Sequence, residues 1–444
     1  MRRLVFFFLA VLLLPTALWL AGDTLVPTPF TYFSFRSAFV QYSGVIAIAV
    51  MSVAMLLALR LTWLEPHLGG LDKVYRLHKW LGIAALVAAV AHWWLAKGTK
   101  WMVGWGWLER PVRKRVSGEM LGGIEGWLRS QRGLAETIGE WMFYAAAVLI
   151  ILALVKRFPY HWFARTHKWL ALAFLGLAYH SVVLAKASYW MQPIGWLMAI
   201  LLIAGCVAAV ISLSGRIGAS RKVAGTIEGL TEYPALRVLE TTIVLDEGWS
   251  GHAAGQFAFV RSDKHEGAHP YTIASAWNPA DRRLVFITKA LGDHTSRLPQ
   301  RLKIGMPVTV EGPYGCFDFE DEHPGQIWVG AGIGITPFIA RMKHRSVARD
   351  AKEIHLFHPT ADFDQTAIDR LTQDAAAAHV HLHLLVDSKD GRLNGERIRA
   401  AVPQWRTASI WFCGPPGLGR SLRDDFMAQG LPPDRFHQEL FEMR

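Results

Sequence analysis

Cysteine is scarce: Cys206, Cys316 and Cys413 are the only three in a chain of 444 residues. So few, so scattered, exclude a disulfide framework and a cysteine-ligated metal centre. The GxGxxG fingerprint is also missing, which disfavours a plain Rossmann dehydrogenase. No calcium-binding loop or added regulatory domain is visible, so constitutive activity is the simpler expectation. Charged residues make up only 19% of the chain against 52% hydrophobic. The apolar residues crowd into positions 1–215, and the remainder has soluble character. The net charge of +11 is spread through membrane-flanking loops as well as soluble segments. It therefore bears on orientation and points to no nucleic-acid partner.

What is present in quantity is long apolar runs. Six are countable, at 4–20, 38–59, 77–95, 137–155, 166–185 and 193–213. A hydrocarbon core about 30 Å thick needs about 20 such residues of helix. The first, behind Arg2 and Arg3, resembles a secretory signal, but it is long for one and five more runs follow; it reads as a membrane span. Six spans put both termini on one side. Arg60, Lys73, Arg76, Lys79, the 156–168 loop and Arg216 to Lys222 share that side, which makes it cytoplasmic. The loop 96–136 would then lie outside despite Lys97, Lys100, Arg110, Arg113, Lys114 and Arg115. A membrane-surface helix is the plain explanation of those charges, and attraction of an anionic chelate the sharper one.

Two spans each carry two histidines: His78 and His92 in the third, His167 and His180 in the fifth. The first two lie 14 apart, roughly 21 Å along a helix axis and close to four whole turns, so both leave nearly one face. The 13-residue spacing of the second two corresponds to about 1300° of rotation and fits one face less well. A kink near Gly176, or rotation of the haem planes, is the expected remedy. With helices three and five running in the same direction, His78 pairs in height with His167 and His92 with His180. A histidine at a span end often serves as an interfacial anchor, and the two His-Lys-Trp triplets suit that role. Ionisable residues deeper in a span are rare and usually functional. Four in matching positions point to two haems, whereas His67 and His161 read as surface residues.

The expected architecture is multidomain. A six-helix transmembrane haem bundle (1–215) precedes an antiparallel β-barrel (216–323) and an α/β parallel-sheet nucleotide-binding domain (324–444). Short alternating runs at 237–244, 256–260, 283–288 and 307–310, separated by glycine and proline turns, give the barrel. Strands at 326–329, 354–357, 379–386 and 409–412 alternate with helical stretches in the last domain. His379, His381 and His383 alternate on one of these strands; with no further ligand in view, an exposed strand face is expected. The loop Gly330-Ala331-Gly332-Ile333-Gly334-Ile335-Thr336-Pro337 follows a buried-type strand and opens a helix, a setting that favours phosphate. Phe412-Cys413-Gly414-Pro415-Pro416-Gly417 follows another strand and would meet the same ligand.

These motifs, with three more, resemble those of the ferric reductase and NADPH oxidase superfamily over nearly the whole chain. His269-Pro270-Tyr271-Thr272-Ile273-Ala274-Ser275 resembles that family's flavin-binding HPFT motif. The resemblance implies that Tyr271 and Thr272 contact the isoalloxazine while His269 and Ser275 border the FAD. Leu291-Gly292-Asp293-His294-Thr295 resembles the GDxT turn near the FAD pyrophosphate. Gly312-Pro313-Tyr314-Gly315 resembles the GPYG turn at the junction of the soluble domains. Lys289 is counted with the cofactor-binding residues. Gly330, Gly332, Gly334, Thr336, Cys413, Gly414 and Pro415 fall in the pyridine-nucleotide motifs, with Thr336 and Cys413 beside the nicotinamide. In Glu439-Leu440-Phe441, the resemblance makes Phe441 the aromatic residue that covers the flavin until nicotinamide displaces it. The histidine pairs match the family's bis-histidine haem ligands.

The implied activity is a flavocytochrome b in a bacterial inner membrane, with soluble domains and both termini cytoplasmic. Electrons run from NADPH or NADH to FAD, to the haem on His78 and His167, then to that on His92 and His180. Oxygen giving superoxide, or a ferric chelate, would receive them outside; a periplasmic redox protein is a further acceptor. A flavin bridges the two-electron donor and the one-electron haems. The strand 354–357 is followed by His358-Pro359-Thr360-Ala361-Asp362, without an arginine for a 2′-phosphate; Lys389 or Arg392 are candidates to supply that charge. The rival from another class is a transporter or sensor whose nucleotide-binding half is regulatory and whose histidines conduct protons or metal.

Overall fold

The computed structural model describes residues 2–109, 123–155, 157–263, 266–348 and 350–439, with the backbone alone for Arg2, Ile124, Glu125, Tyr160 and His161. Phe441, and Arg110, Arg113, Lys114 and Arg115 of the basic loop, lie outside the described residues. Two compact units emerge: residues 1–61 with 73–217, and residues 62–72 with 218–443.

Among the described residues, the first unit contains six helical spans long and apolar enough to cross a membrane. They are α1 (Arg2–Leu20), α2 (Tyr32–Leu57), α3 (Leu71–Trp93), α4 (Arg132–Leu154), α5 (Trp169–Leu184) and α6 (Pro193–Leu213). Helix α6 shows why they need lipid. Gly195, Met198, Leu202, Gly205 and Ala209 are buried, whereas Ile200, Ile203, Val207 and Val210 on the other face are exposed. Small residues let helices approach closely where no hydrophobic effect drives them together. A β-carbon on Gly205 would stand 3.2 Å from the Ser52 backbone of α2.

The third span is longer than expected. After α3 the helix passes through a π turn, Trp94–Gly98, and continues as Thr99–Gly104. A π turn misaligns backbone carbonyls. Arg36 of α2 meets them, its Nε donating to the Leu95 oxygen at 2.8 Å and its Nη2 to the Ala96 oxygen at 3.0 Å. The fifth span breaks at Lys168, between a short helix Tyr160–His167 and α5, and is continuous through Gly176. The expected kink at Gly176 is thus displaced to the residue after His167. Thr166 sits there with its hydroxyl donating back to the Trp162 oxygen at 2.8 Å, a bond that bends helices.

The second unit holds two sheets. The first comprises β1 (Lys222–Tyr233), β2 (Val238–Leu245), β3 (Phe257–Arg261), β4 (His269–Thr272), β5 (Arg283–Lys289) and β6 (Pro307–Tyr314). Its order is β4-β3-β6-β1-β2-β5, all antiparallel. Its two edges meet, because Ile273 bridges Phe286 and the Ala274 N–H donates to the Val285 oxygen at 2.7 Å. The sheet is therefore a closed barrel without free edges. Ile227, Ile243, Ala258, Leu284, Phe286 and Val310 fill it.

The second sheet comprises β7 (Gly325–Gly330), β8 (Glu353–Thr360), β9 (His381–Val386), β10 (Ala408–Cys413) and β11 (Phe436–Gln438), ordered β11-β10-β7-β8-β9 and parallel throughout. The path runs from β7 out to β9, then returns to β10 on the other side of β7. That reversal opens a crevice at the carboxyl ends of β7 and β10. His379 does not lie on the strand face expected for it; it takes a left-handed φ of 52° before β9 begins. Below the sheet, Asp321 accepts from Lys352 Nζ at 2.6 Å, Ser409 Oγ at 2.5 Å, Gln326 Nε2 at 3.0 Å and Trp411 Nε1 at 3.1 Å. Burial pushes this carboxyl up, but the bonds from Lys352 and Ser409 outweigh it and hold it at about 2.

Residues 62–72, between α2 and α3, belong to this second unit. Buried Glu65 accepts from the backbone N–H of Gly315 at 2.7 Å and of Leu71 at 3.0 Å.

Candidate functional site

In the first unit the four span histidines form two facing couples. The rings of His78 and His167 have centroids 5.9 Å apart, and those of His92 and His180 6.2 Å apart. Backbone carbonyls orient three of them. Nδ1 of His78 donates to the Ala54 oxygen at 2.9 Å, that of His92 to Val40 at 2.9 Å and that of His180 to Ala135 at 2.8 Å. A carbonyl only accepts, so the proton sits on Nδ1 and the Nε2 lone pair is the one left for a metal. A metal about 2 Å from each imidazole nitrogen separates the centroids by roughly 6 Å, the spacing observed. Two glycines make room for the His92–His180 couple. A β-carbon on Gly44 would stand 3.2 Å from the His92 ring, and one on Gly139 would enter the His180 ring. The residues present thus fit bis-histidine metal ligation.

In the barrel, the HPYT stretch forms strand β4, and the GDHT turn folds against it. The His294 ring stacks on His269 with centroids 3.7 Å apart, and its Nε2 shares a hydrogen bond of 2.9 Å with the Tyr271 hydroxyl. Its Nδ1 meets the Glu266 carboxylate, which Arg301 also pairs. Burial, then the neighbouring His294 charge, push the His269 imidazole down to about 4. Thr295 accepts from the Leu291 and Gly292 N–H groups at 3.0 and 3.2 Å and so ties the turn. Buried Ser275 accepts from the Val285 N–H at 3.1 Å. Thr272 ends β4, Pro270 stands within it, and Gly312 and Gly315 bracket the end of β6.

In the α/β domain, Gly330 and Cys413 are register partners on β7 and β10, so both loops leave the carboxyl edge side by side. The Ala331 N–H donates to the Cys413 oxygen at 2.9 Å. Gly334 passes so close to that carbonyl that no β-carbon fits. Gly332 needs its positive φ of 55°. Gly414 and Pro415 continue the second loop into the helix Pro416–Ala428, and buried Thr336 opens Thr336–Val347. The Cys413 thiol is fully buried; burial, then the nearby Glu439 charge, push it well up and keep it protonated.

A cleft between the glycine loop and the barrel is lined by Gly332, Ile333, Thr360, Asp362, Lys343 and Arg370. Lys289 also lines it and pairs with Asp362 at 2.6 Å. Sequence reasoning missed three of these residues. His358 donates from Nδ1 to the Gly330 oxygen at 2.6 Å and braces the loop. Lys343 and Arg370 line the cleft, with Arg370 paired to Glu240 at 3.0 Å, while Lys389 lies over the Phe363 ring at 5.0 Å. Only the helix positions, not a local motif, bring Lys343 and Arg370 into the cleft.

Residues 43–178 match the family described as the ferric reductase like transmembrane component, and residues 238–317 match an FAD-binding domain family. The chain has the ferric reductase and NADPH oxidase-type architecture. A membrane-spanning component and an FAD-binding domain thus stand in one chain. Among its relatives, the heme-dependent oxidative N-demethylase beta subunit of Ectopseudomonas mendocina is 32% identical over 177 residues, covering 38% of this chain and 54% of that protein. An NADPH oxidoreductase of Mycobacterium tuberculosis is 27% identical over 247 residues, covering 52% and 62%. The chain spans about half the length of the first curated relatives it matches. Among solved structures, a flavohemoglobin from Malassezia yamatoensis with bound FAD and heme aligns with a TM-score of 0.45 at 16% identity, over 72% of this chain and 88% of the other.

Proposed function

We propose that this protein is an oxidoreductase that takes electrons from NAD(P)H on the cytoplasmic side of a bacterial inner membrane and delivers them outside through FAD and two b-type haems. The observation that carries this reading is the facing of His78 with His167 and of His92 with His180. When bound, FAD accepts a hydride and passes on single electrons, which suits it to two haems in series. His78 and His167 would hold the inner haem, and His92 and His180 the outer. Backbone carbonyls lock three of the four imidazoles so that Nε2 faces inward. Two imidazoles per iron leave no open position for oxygen, so each pair suits electron transfer.

In the soluble unit, Tyr271 and Thr272 would lie along the isoalloxazine, with His269 and Ser275 at its border. Gly292, Thr295, Gly312, Gly315 and Lys289 would surround the rest of the FAD. Gly330, Gly332 and Gly334 would give the nucleotide phosphates a close backbone approach. Thr336, Cys413, Gly414 and Pro415 would frame the nicotinamide. Because Cys413 stays protonated, it serves as a compact wall and weak donor, not as a nucleophile. Phe441 would shield the flavin until nicotinamide arrives.

A dithionite-reduced spectrum of the purified protein tests the reading. About two b-type haems per chain support it, and a colourless membrane unit overturns it. His92→Ala should remove one haem and leave NAD(P)H-dependent flavin reduction intact. Oxygen consumption and ferric-chelate reduction, measured on one preparation, distinguish the two acceptors.

A further inference from the structure

Far from the glycine loop, at the amino-terminal ends of β8 and β9, the structure supplies the partners that His381 and His383 lacked in the sequence. His355 is the register partner of His381 on the adjacent parallel strand, and Glu353 lies two residues before it on the same face. The His355 and His381 rings stack with centroids 4.8 Å apart. His355 Nε2 lies 3.2 Å from Glu353 Oε1, and its Nδ1 lies 3.1 Å from His383 Nε2. Gln404 Nε2 donates to the same glutamate oxygen at 2.9 Å. The ligating atoms of Glu353, His355 and His381 all fall within 4.8 Å of one another.

We propose that Glu353, His355 and His381 bind a divalent first-row transition cation of the Zn²⁺ class, with His383 as the outer partner that orients His355. Donors about 2.0–2.2 Å from a tetrahedral metal stand roughly 3.3–3.5 Å from each other. The Glu353–His355 separation of 3.2 Å is already close to that value, and a His381 ring nitrogen lies within 4.8 Å of both. Two imidazoles and one carboxylate select such ions over Mg²⁺ or Ca²⁺, which prefer oxygen. A ligating imidazole held through its other nitrogen is the usual pattern of a built site, and His383 gives His355 that hold. Gln404 steadies the carboxylate in the same way. Strand β9 is a sheet edge, so the ion would staple it to β8. The site shares no residue with the cleft or the span histidines, and it does not depend on the function proposed above.

The test uses the full chain, metal-stripped in detergent with its flavin retained, titrated with Zn²⁺ against a chromophoric chelator. The expected result is one site whose affinity falls about tenfold or more in His381→Ala and in Glu353→Gln. Zn²⁺ should raise the melting temperature of the parent protein but not of the double variant. Glu353 is exposed, so Glu353→Gln should fold normally, and unchanged flavin content verifies it. Superimposable titrations of the parent and the double variant would overturn the proposal, as would Zn²⁺ binding without any gain in melting temperature.

Discussion

Five donors converge on the carboxylate of Asp321: the His323 backbone N–H and side chains of Gln326, Lys352, Ser409 and Trp411. Removing one partner of a buried charged network leaves the others desolvated and unpaired. Asp321→Ala should therefore cost roughly 3 kcal/mol and lower the unfolding temperature of the soluble unit by about 5–10 °C, read by scanning fluorimetry. An unchanged midpoint would show that the network contributes nothing net. His269 makes a prediction about pH. Its imidazole is held at about 4 against an ordinary 6.5, so the folded state declines a proton that the unfolded chain accepts. The associated stability is present above pH 6.5 and is lost as pH falls toward 4. His269→Asn should flatten the melting-temperature curve in that window; an identical slope in both proteins would count against it.

Among the elements, the α4–α5 pair is the tightest test of haem ligation. Gly139 lies against His180 with no space for a β-carbon. On the proposed ligation, Gly139→Val should expel the haem on His92 and His180 and keep that on His78 and His167, halving haem per chain in a pyridine-haemochrome assay. Gly133→Ala on the same helix meets nothing within 4 Å and should leave haem content unchanged. The spans and their pairing of histidines were legible because a bilayer demands long uninterrupted apolar runs. The break at Lys168 was not: neither glycine nor proline marks it, and the Thr166 back-bond becomes visible only in three dimensions. Strand β1 was also missed. Its alternation of buried Val223, Gly225 and Ile227 is hidden by glycine standing at a core position, and a bulge between Ile227 and Gly229 interrupts the register. Strand β11, three residues long, is too short to carry a period. The site loops were readable from local motifs, whereas Lys343, His358 and Arg370 were not, since their roles depend on which strand and helix face the cleft.

At the scale of the whole molecule, sequence order and compact units do not coincide. The segment 62–72 lies between two membrane helices yet belongs to the soluble unit, where Glu65 accepts from the Gly315 backbone. A fragment of residues 218–444 should therefore melt at a lower temperature than the same unit in the intact chain. Glu65→Ala in the intact chain should reproduce part of that loss, about 1–3 kcal/mol for a turn whose N–H groups lose their acceptor. Equal melting of fragment and intact unit would refute this. The consequence reaches beyond stability. Recombination that exchanged the second unit for another at the end of α6 would leave an orphaned piece behind, because a small part of that unit is encoded upstream, between two membrane helices. Such a swap succeeds only if the newcomer offers Glu65 an equivalent backbone, so the two halves of this gene are constrained to change together.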